Sequence, residues 1–189
     1  MRHVISALVM NEPGVLANVA GMFAARGFNI DSLVVGRTEN PELSRMTIVC
    51  NADENTLDQV RKQLAKLVPV VQVRDFNEMR HVERDLALIT VGAGPERRGE
   101  VIEIVTLFRG KVIDVGPASL IVQLVGPEEK VEAFIELIKP YGIQELARTG
   151  IIAMPRGMQG NHAATSAAAA GGKRTRSIDA PAAPALPPS

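Results

Sequence analysis

The chain has 189 residues, of which 46% are hydrophobic and only 3% aromatic, with no Trp and one Tyr. That length holds one medium domain or two small ones, each with an aliphatic core. The 21 basic and 21 acidic residues cancel, so the cationic excess that drives nonspecific nucleic-acid binding by counterion release is missing, and no apolar run reaches the length of a membrane span.

In chain order, the apolar pattern first predicts a strand from about His3 to Met10. A helix from Pro13 to Arg26 follows, with Val15, Val19, Met22 and Phe23 on one stripe. Pro near its start and Gly27 after its end are the expected punctuation. Strands are predicted at Asn29 to Arg37 and Ser44 to Asn51, joined by the turn-rich Thr38-Glu39-Asn40-Pro41-Glu42. A second helix, Glu54 to Leu67, aligns Leu57, Val60, Leu64 and Leu67, with Asp53 placed to cap it. Pro69 stops it, and Val70 to Phe76 is a fourth strand.

The next half repeats the plan, after a join near Asn77 to Val82. Leu86 to Val91 reads as a strand and Glu96 to Arg109 as a helix. Lys111 to Val115 and Ser119 to Val125 are strands around the turn Gly116-Pro117. A helix opens at Pro127-Glu128-Glu129 and closes before Pro140, with acidic residues in its first turn to suit the helix dipole. One last strand is expected from Gln144 to Met154. Each half is therefore β-α-β-β-α-β, and the fold class is α+β: two ferredoxin-like sandwiches in tandem, over residues 1–77 and 82–157. Residues 158–189, rich in Ala, Pro and Gly, offer little to bury and are expected to be a disordered tail. Its Lys173-Arg174-Thr175-Arg176 cluster reads as solvated charge.

A sheet with helices on one face must cover the other. Ile30, Leu33, Val35, Thr47 and Val49 are too apolar to leave both faces wet, so burial against another copy or against the second half is expected.

Chemistry is hard to place in this sequence. Cys50 lies in the apolar run Met46-Thr47-Ile48-Val49-Cys50 and reads as a buried strand thiol. A single cysteine fits a reducing, cytoplasmic setting, and the first residues lack the apolar stretch of a signal peptide. His3, His81 and His162 are far apart, and none has a metal-ligand partner at useful spacing. Gly92-Ala93-Gly94-Pro95-Glu96-Arg97 begins like a dinucleotide fingerprint but lacks the third glycine. RNA-recognition modules share this element order, but the central strands here carry no stacking aromatics. No catalytic residue and no metal site is assigned.

The junction Asn11-Glu12-Pro13-Gly14-Val15-Leu16 remains. A helix start offers unpaired N–H groups and partial positive charge to a carboxylate, Gly14 permits close approach, and Asn11 both donates and accepts. The alternative is an ordinary strand-to-helix turn.

These residues, with Arg26-Gly27-Phe28-Asn29-Ile30-Asp31-Ser32-Leu33 and Ser44-Arg45-Met46-Thr47-Ile48-Val49, closely resemble the ACT domain of the acetolactate (acetohydroxyacid) synthase small-subunit family. His81-Val82-Glu83-Arg84-Asp85-Leu86, Ile113-Asp114-Val115, Arg148-Thr149-Gly150 and Met154-Pro155-Arg156-Gly157 look like that family's C-terminal domain. The resemblance implies a non-catalytic regulatory subunit in branched-chain amino-acid biosynthesis. Its partner would be a large catalytic subunit that holds thiamine diphosphate, magnesium and flavin, activated by this chain and made sensitive to feedback inhibition, valine being the expected effector. It also implies a homodimer through the ACT domain, with Asn11, Gly14, Val15 and Leu16 forming one wall of the effector site and Asn29 and Ile30 completing it from the neighbouring subunit. Asn18 and Thr90 depart from the family pattern, which more often has a basic residue at those places. A free-standing ACT-type sensor acting on another enzyme or a transcription factor is the alternative.

Overall fold

The structure, a computed structural model, describes residues 1–157; the expected tail at 158–189, with its basic cluster, lies outside the described residues. Strand β1 (Arg2–Met10) is central in the first sheet. It pairs antiparallel with β3 (Leu43–Asn51) and β4 (Val70–Asp75), and β3 pairs with β2 (Ser32–Arg37), giving the order β2-β3-β1-β4. Helices α1 (Val15–Ala24) and α2 (Glu54–Leu64) cover one face. Val15, Val19, Met22 and Phe23 from α1 and Leu57, Val60 and Leu64 from α2 join Ile5, Ala7, Val9, Met46, Ile48 and Cys50 in one core. These are the helical and strand periodicities the sequence displays. Thr56 N–H donates to Asp53 Oδ1 at 2.7 Å, as a helix cap should. That bond holds the Asp53 carboxyl below its ordinary pKa.

The second sheet repeats this order as β6 (Lys111–Val115), β7 (Ser119–Gly126), β5 (His81–Gly92) and β8 (Ile143–Arg148). Helices α3 (Arg98–Leu107) and α4 (Glu128–Ile138) pack on it through Val101, Val105, Val131, Phe134, Ile135 and Ile138. A single 3-10 turn, Lys139–Tyr141, follows α4 at the proline that ends it.

Three boundaries differ from the sequence reading in ways that matter. Strand β5 begins at His81 rather than Leu86, because it pairs twice: Ala87–Val91 with β8, and His81–Arg84 with a short strand β9 (Ile152–Pro155). The single final strand expected from Gln144 to Met154 is thus two strands, broken at Thr149-Gly150. There Leu86 N–H donates to Thr149 Oγ1 at 3.1 Å, and Gly150 takes a φ of +83°, a conformation that suits glycine. Asn29 and Ile30 precede β2, which starts at Ser32. The helices are also shorter than expected: α1 excludes Pro13 and Gly14, α2 stops at Leu64, and α3 spans only Arg98–Leu107.

The break has a purpose in packing. The chain turns across the helix-free face of the first sheet, where Ile151 and Ala153 close over Val4, Val49 and Phe76 to make a third buried cluster. A Cβ on Gly150 would lie 2.6 Å from Ser32 Oγ and 2.9 Å from Val34 Cγ2, so the backbone itself packs there. Of the two covers expected for the apolar face, the second half supplies this one.

Polar contacts lock the same region. Asp85 is buried and Arg148 grips it, with Nε donating to Oδ2 at 2.8 Å, while Arg148 Nη1 also reaches Glu132. Arg2 of β1 donates to Glu83 of β5 at 2.7 Å, and its Nε lies 2.8 Å from Glu128 of α4. Glu83 meets His81 Nε2 at 2.7 Å. Burial alone would lower the His81 pKa, but the Met79 carbonyl and the Glu83 carboxylate outweigh it and raise it. Burial pushes Glu83 upward, yet Arg2 and His81 hold it below its usual value.

Two outcomes follow. Arg148→Ala strands a buried Asp85 carboxylate and should destabilise the fold by about 3 kcal/mol, whereas Glu132→Ala, on the exposed arm, should cost less than about 1 kcal/mol; urea unfolding compares them. His81, whose pKa is raised on folding, stabilises fully below its unfolded value of 6.5 and loses that contribution as pH rises through the folded value. Glu83, with a depressed pKa, contributes fully above its unfolded value of 4.5 and loses it as pH falls through the folded value. The pair is therefore strongest between these two unfolded values. The stability gap between wild type and His81→Gln should shrink from about pH 6 to about pH 8 in thermal melts at matched ionic strength.

Candidate functional site

The junction between β1 and α1 is built by a backbone that stops pairing abruptly. Met10 N–H donates to Pro69 O at 2.8 Å and Asn11 N–H to Glu42 O at 2.7 Å, which pins the end of β1 between two loops. Gly14 then adopts φ +84°, and α1 starts without a side-chain cap. Val15 N–H makes only a long 3.5 Å bond to Glu12 O. Among the described residues no acceptor answers Leu16 N–H or Ala17 N–H. An uncapped helix start of this kind presents donors and the positive end of the dipole to solvent. A Cβ on Gly14 would meet nothing within 4 Å, so the space above the junction is open.

Asn11 is exposed but engaged. Its Nδ2 donates to Pro41 O at 3.0 Å, and its Oδ1 accepts from Ser44 Oγ at 3.1 Å. These bonds hold the tip of the β2–β3 hairpin against the junction and leave the amide one hydrogen and one lone pair for a ligand. Val15 is 5% exposed and its side chain belongs to the core, so its share in any site is its backbone. Leu16 is 46% exposed beside it.

Asn29 and Ile30 lie at the other end of α1. A ten-residue helix is about 15 Å long, so one chain does not bring them together with Asn11 to Leu16. Asn29 is exposed, its Nδ2 donating to Asp31 Oδ1 at 2.7 Å, while Asp31 Oδ2 accepts from Asn51 at 2.7 Å. Ile30 packs half-buried on the first core.

Beside Asn29 is a cleft of about 440 Å³ that the sequence did not announce, lined by Arg26, Phe28, Asn29, Cys50, Asp53 and Thr56 among others. Its residues come from three separate segments, and no spacing rule joins them. Arg26 spans it toward Gln63 Oε1 at 2.9 Å. Cys50 at its base is 2% exposed, and burial first, then Asp31 and Asp75, push the thiol pKa up. The protonated thiol is a packing group. Among the described residues no cluster of three His, Cys, Asp or Glu could hold a metal ion, and no helix is long and apolar enough to cross a membrane.

Comparison with known proteins gives a consistent picture. Residues 5–72 match the family model described as the AHAS small subunit-like ACT domain, and residues 84–157 match the one described as the small subunit of acetolactate synthase. The chain is 54% identical over 157 residues to a probable acetolactate synthase small subunit of Archaeoglobus fulgidus, covering 83% of this chain and 98% of that protein. It is 47% identical over 162 residues to the acetolactate synthase small subunit of Mycolicibacterium smegmatis, covering 86% and 95%. The crystal structure of the small subunit from Thermotoga maritima superposes with a TM-score of 0.77 at 46% identity, over 83% of this chain and 98% of that one.

The geometry of the junction makes its own prediction. Gly14→Ala should cost about 1 kcal/mol through the left-handed backbone alone, with no steric clash, whereas Ser44→Ala should remove one of the two bonds between Asn11 and the hairpin and raise amide hydrogen exchange at its tip; chemical unfolding and exchange mass spectrometry measure the two.

Proposed function

The chain belongs to the acetolactate synthase small-subunit family, and on that premise we propose that it is the non-catalytic regulatory subunit that activates the large catalytic subunit and makes it sensitive to valine. The thiamine diphosphate, magnesium and flavin of the reaction are then held by the large subunit, and this chain contributes binding energy alone. Inhibition requires only that the effector bind one state of the complex better than another.

One observation carries the sensing role: the α1 start is uncapped, with Gly14 in the left-handed region and, among the described residues, no acceptor for Leu16 N–H or Ala17 N–H. An amino-acid carboxylate suits those donors. The free hydrogen and lone pair of Asn11 suit its polar groups, and exposed Leu16 suits an aliphatic side chain. The second wall, Asn29 and Ile30, belongs to the opposite end of α1, so in this reading it is donated by a second copy and the site exists only in a homodimer. Aliphatic contacts sort side chains weakly, by roughly 1–3 kcal/mol per methylene, so leucine and isoleucine compete with valine.

Reconstitution tests this directly. Adding the chain to its purified large subunit should raise acetolactate formation, and valine should reverse the gain; no stimulation and no complex on size-exclusion chromatography would refute the proposal. Asn11→Ala and Asn29→His should each weaken valine inhibition by about tenfold or more, the size expected for losing a hydrogen bond to a charged group, while stimulation without valine persists. Mixing the two variants, so that some sites combine intact walls, should restore part of the sensitivity.

A further inference from the structure

The segment from Gly150 to Ala153 covers one end of the helix-free face of the first sheet, over Val4, Val34, Val49 and Phe76. Toward the β2–β3 hairpin on the same face, two arginines make no ion pair among the described residues. Arg74 of β4 is directly opposite Ser6 of β1, and Arg45 of β3 is opposite Leu8, one step along the same face. Both are half-buried. Arg45 Nη1 donates to Ser6 Oγ at 3.2 Å. Ser6 is 2% exposed, and among the described residues its own hydroxyl proton has no acceptor. No carboxylate among the described residues lies within 4.0 Å of either guanidinium; Glu39, at the hairpin, acts on Arg45 through its charge alone. Burial and then the Arg74 charge push the Arg45 pKa down, with Glu39 opposing them.

Guanidinium groups remain charged in proteins, and their planar forks match a carboxylate better than any other side chain. Arg45, anchored on Ser6, and Arg74, on the same face across β1, offer guanidinium donors to an incoming carboxylate. We propose that Arg45, Arg74 and Ser6 form a receptor for an acidic side chain of the large catalytic subunit, and that the hairpin end of this sheet face is the docking surface. This rests on the regulatory-subunit reading above. The surroundings fit a protein partner: the half-buried arginines lie among half-buried Leu8, Met10 and Leu43, and aliphatic surface set with Arg and Met is the composition of an interface centre. A second copy packed two-fold on this face would oppose four guanidiniums to one another, so charge complementarity selects a different chain.

The test measures binding of the full-length chain to the purified large subunit by biolayer interferometry, for wild type, Arg45→Gln, Arg74→Gln, the double variant and Arg45→Lys. The double variant should weaken the complex by about tenfold or more, chiefly by faster dissociation, and Arg45→Lys should restore only part of it. Wild-type affinity should fall as salt rises from about 50 mM to about 300 mM, and the double variant should lose most of that dependence. Valine binding by calorimetry and the melting temperature control for misfolding. Wild-type binding with an unchanged double variant overturns the docking site and leaves the regulatory reading intact. Loss of self-association in the double variant, with affinity for the large subunit retained, also overturns it and assigns the face to a second copy. Failure of the wild type itself to bind refutes the regulatory reading instead.

Discussion

An antiparallel sheet with helices on one face leaves its other face to water or to another part of the chain, and apolar residues on that face favour a cover. The rest of this structure depends on how that constraint is met. Val4, Val49 and Phe76 would be stranded on the helix-free face of the first sheet, and Ile151 and Ala153, roughly a hundred residues away in sequence, close over them. The cover requires β5 to run past its own sheet and pair with β9, the chain to break between β8 and β9, and glycine to occupy position 150, where a side chain would strike Ser32 and Val34. Charges between the two domains and within the second follow from the same packing. Arg2 reaches Glu83 and Glu128, and Arg148 grips the buried Asp85, because β5 lies where it does.

The cover is partial, and its limits organise function. Gly150 reaches Val34, on the row that Ser6 and Arg74 share, and beyond it Arg45, Leu8, Met10 and Leu43 stay half-buried toward the hairpin end of the sheet. The cover also leaves the β1–α1 junction free. There the hairpin tip is tied to Asn11 through Pro41 and Ser44. The proposed effector site and the proposed docking face therefore share the β2–β3 hairpin: one side touches Asn11, and β3 carries Arg45.

The family residues acquire separate physical reasons. Arg148-Thr149-Gly150 is one device: an ion pair to Asp85, a hydroxyl that ends the strand pairing, and a left-handed turn into the third core. Gly14 serves a different end, leaving a helix start uncapped with open space above it. Ser44 and Arg45 are neighbours in sequence but act on opposite faces, one on Asn11 and the other on Ser6.

The sequence by itself determined the elements and their order. Val15, Val19, Met22 and Phe23 recur at helical spacing and are buried, and Asp53 caps α2 because a local side chain meets a local N–H. It also pointed to the Asn11–Leu16 junction, since a strand end, a glycine and a helix start are consecutive. Only the tertiary structure decided where strands stop when their partners are distant: β5 starts at His81 because β9 is there to pair with it, and the predicted last strand divides at Gly150 because the first domain's sheet is beneath it. The separation of Asn29 from Asn11 by the length of α1, the cleft at Cys50, and the meeting of Arg45 and Arg74 across β1 are likewise tertiary. Periodicity records which face a residue takes within its own element; which residue it meets there is set by chain crossings that leave no local trace.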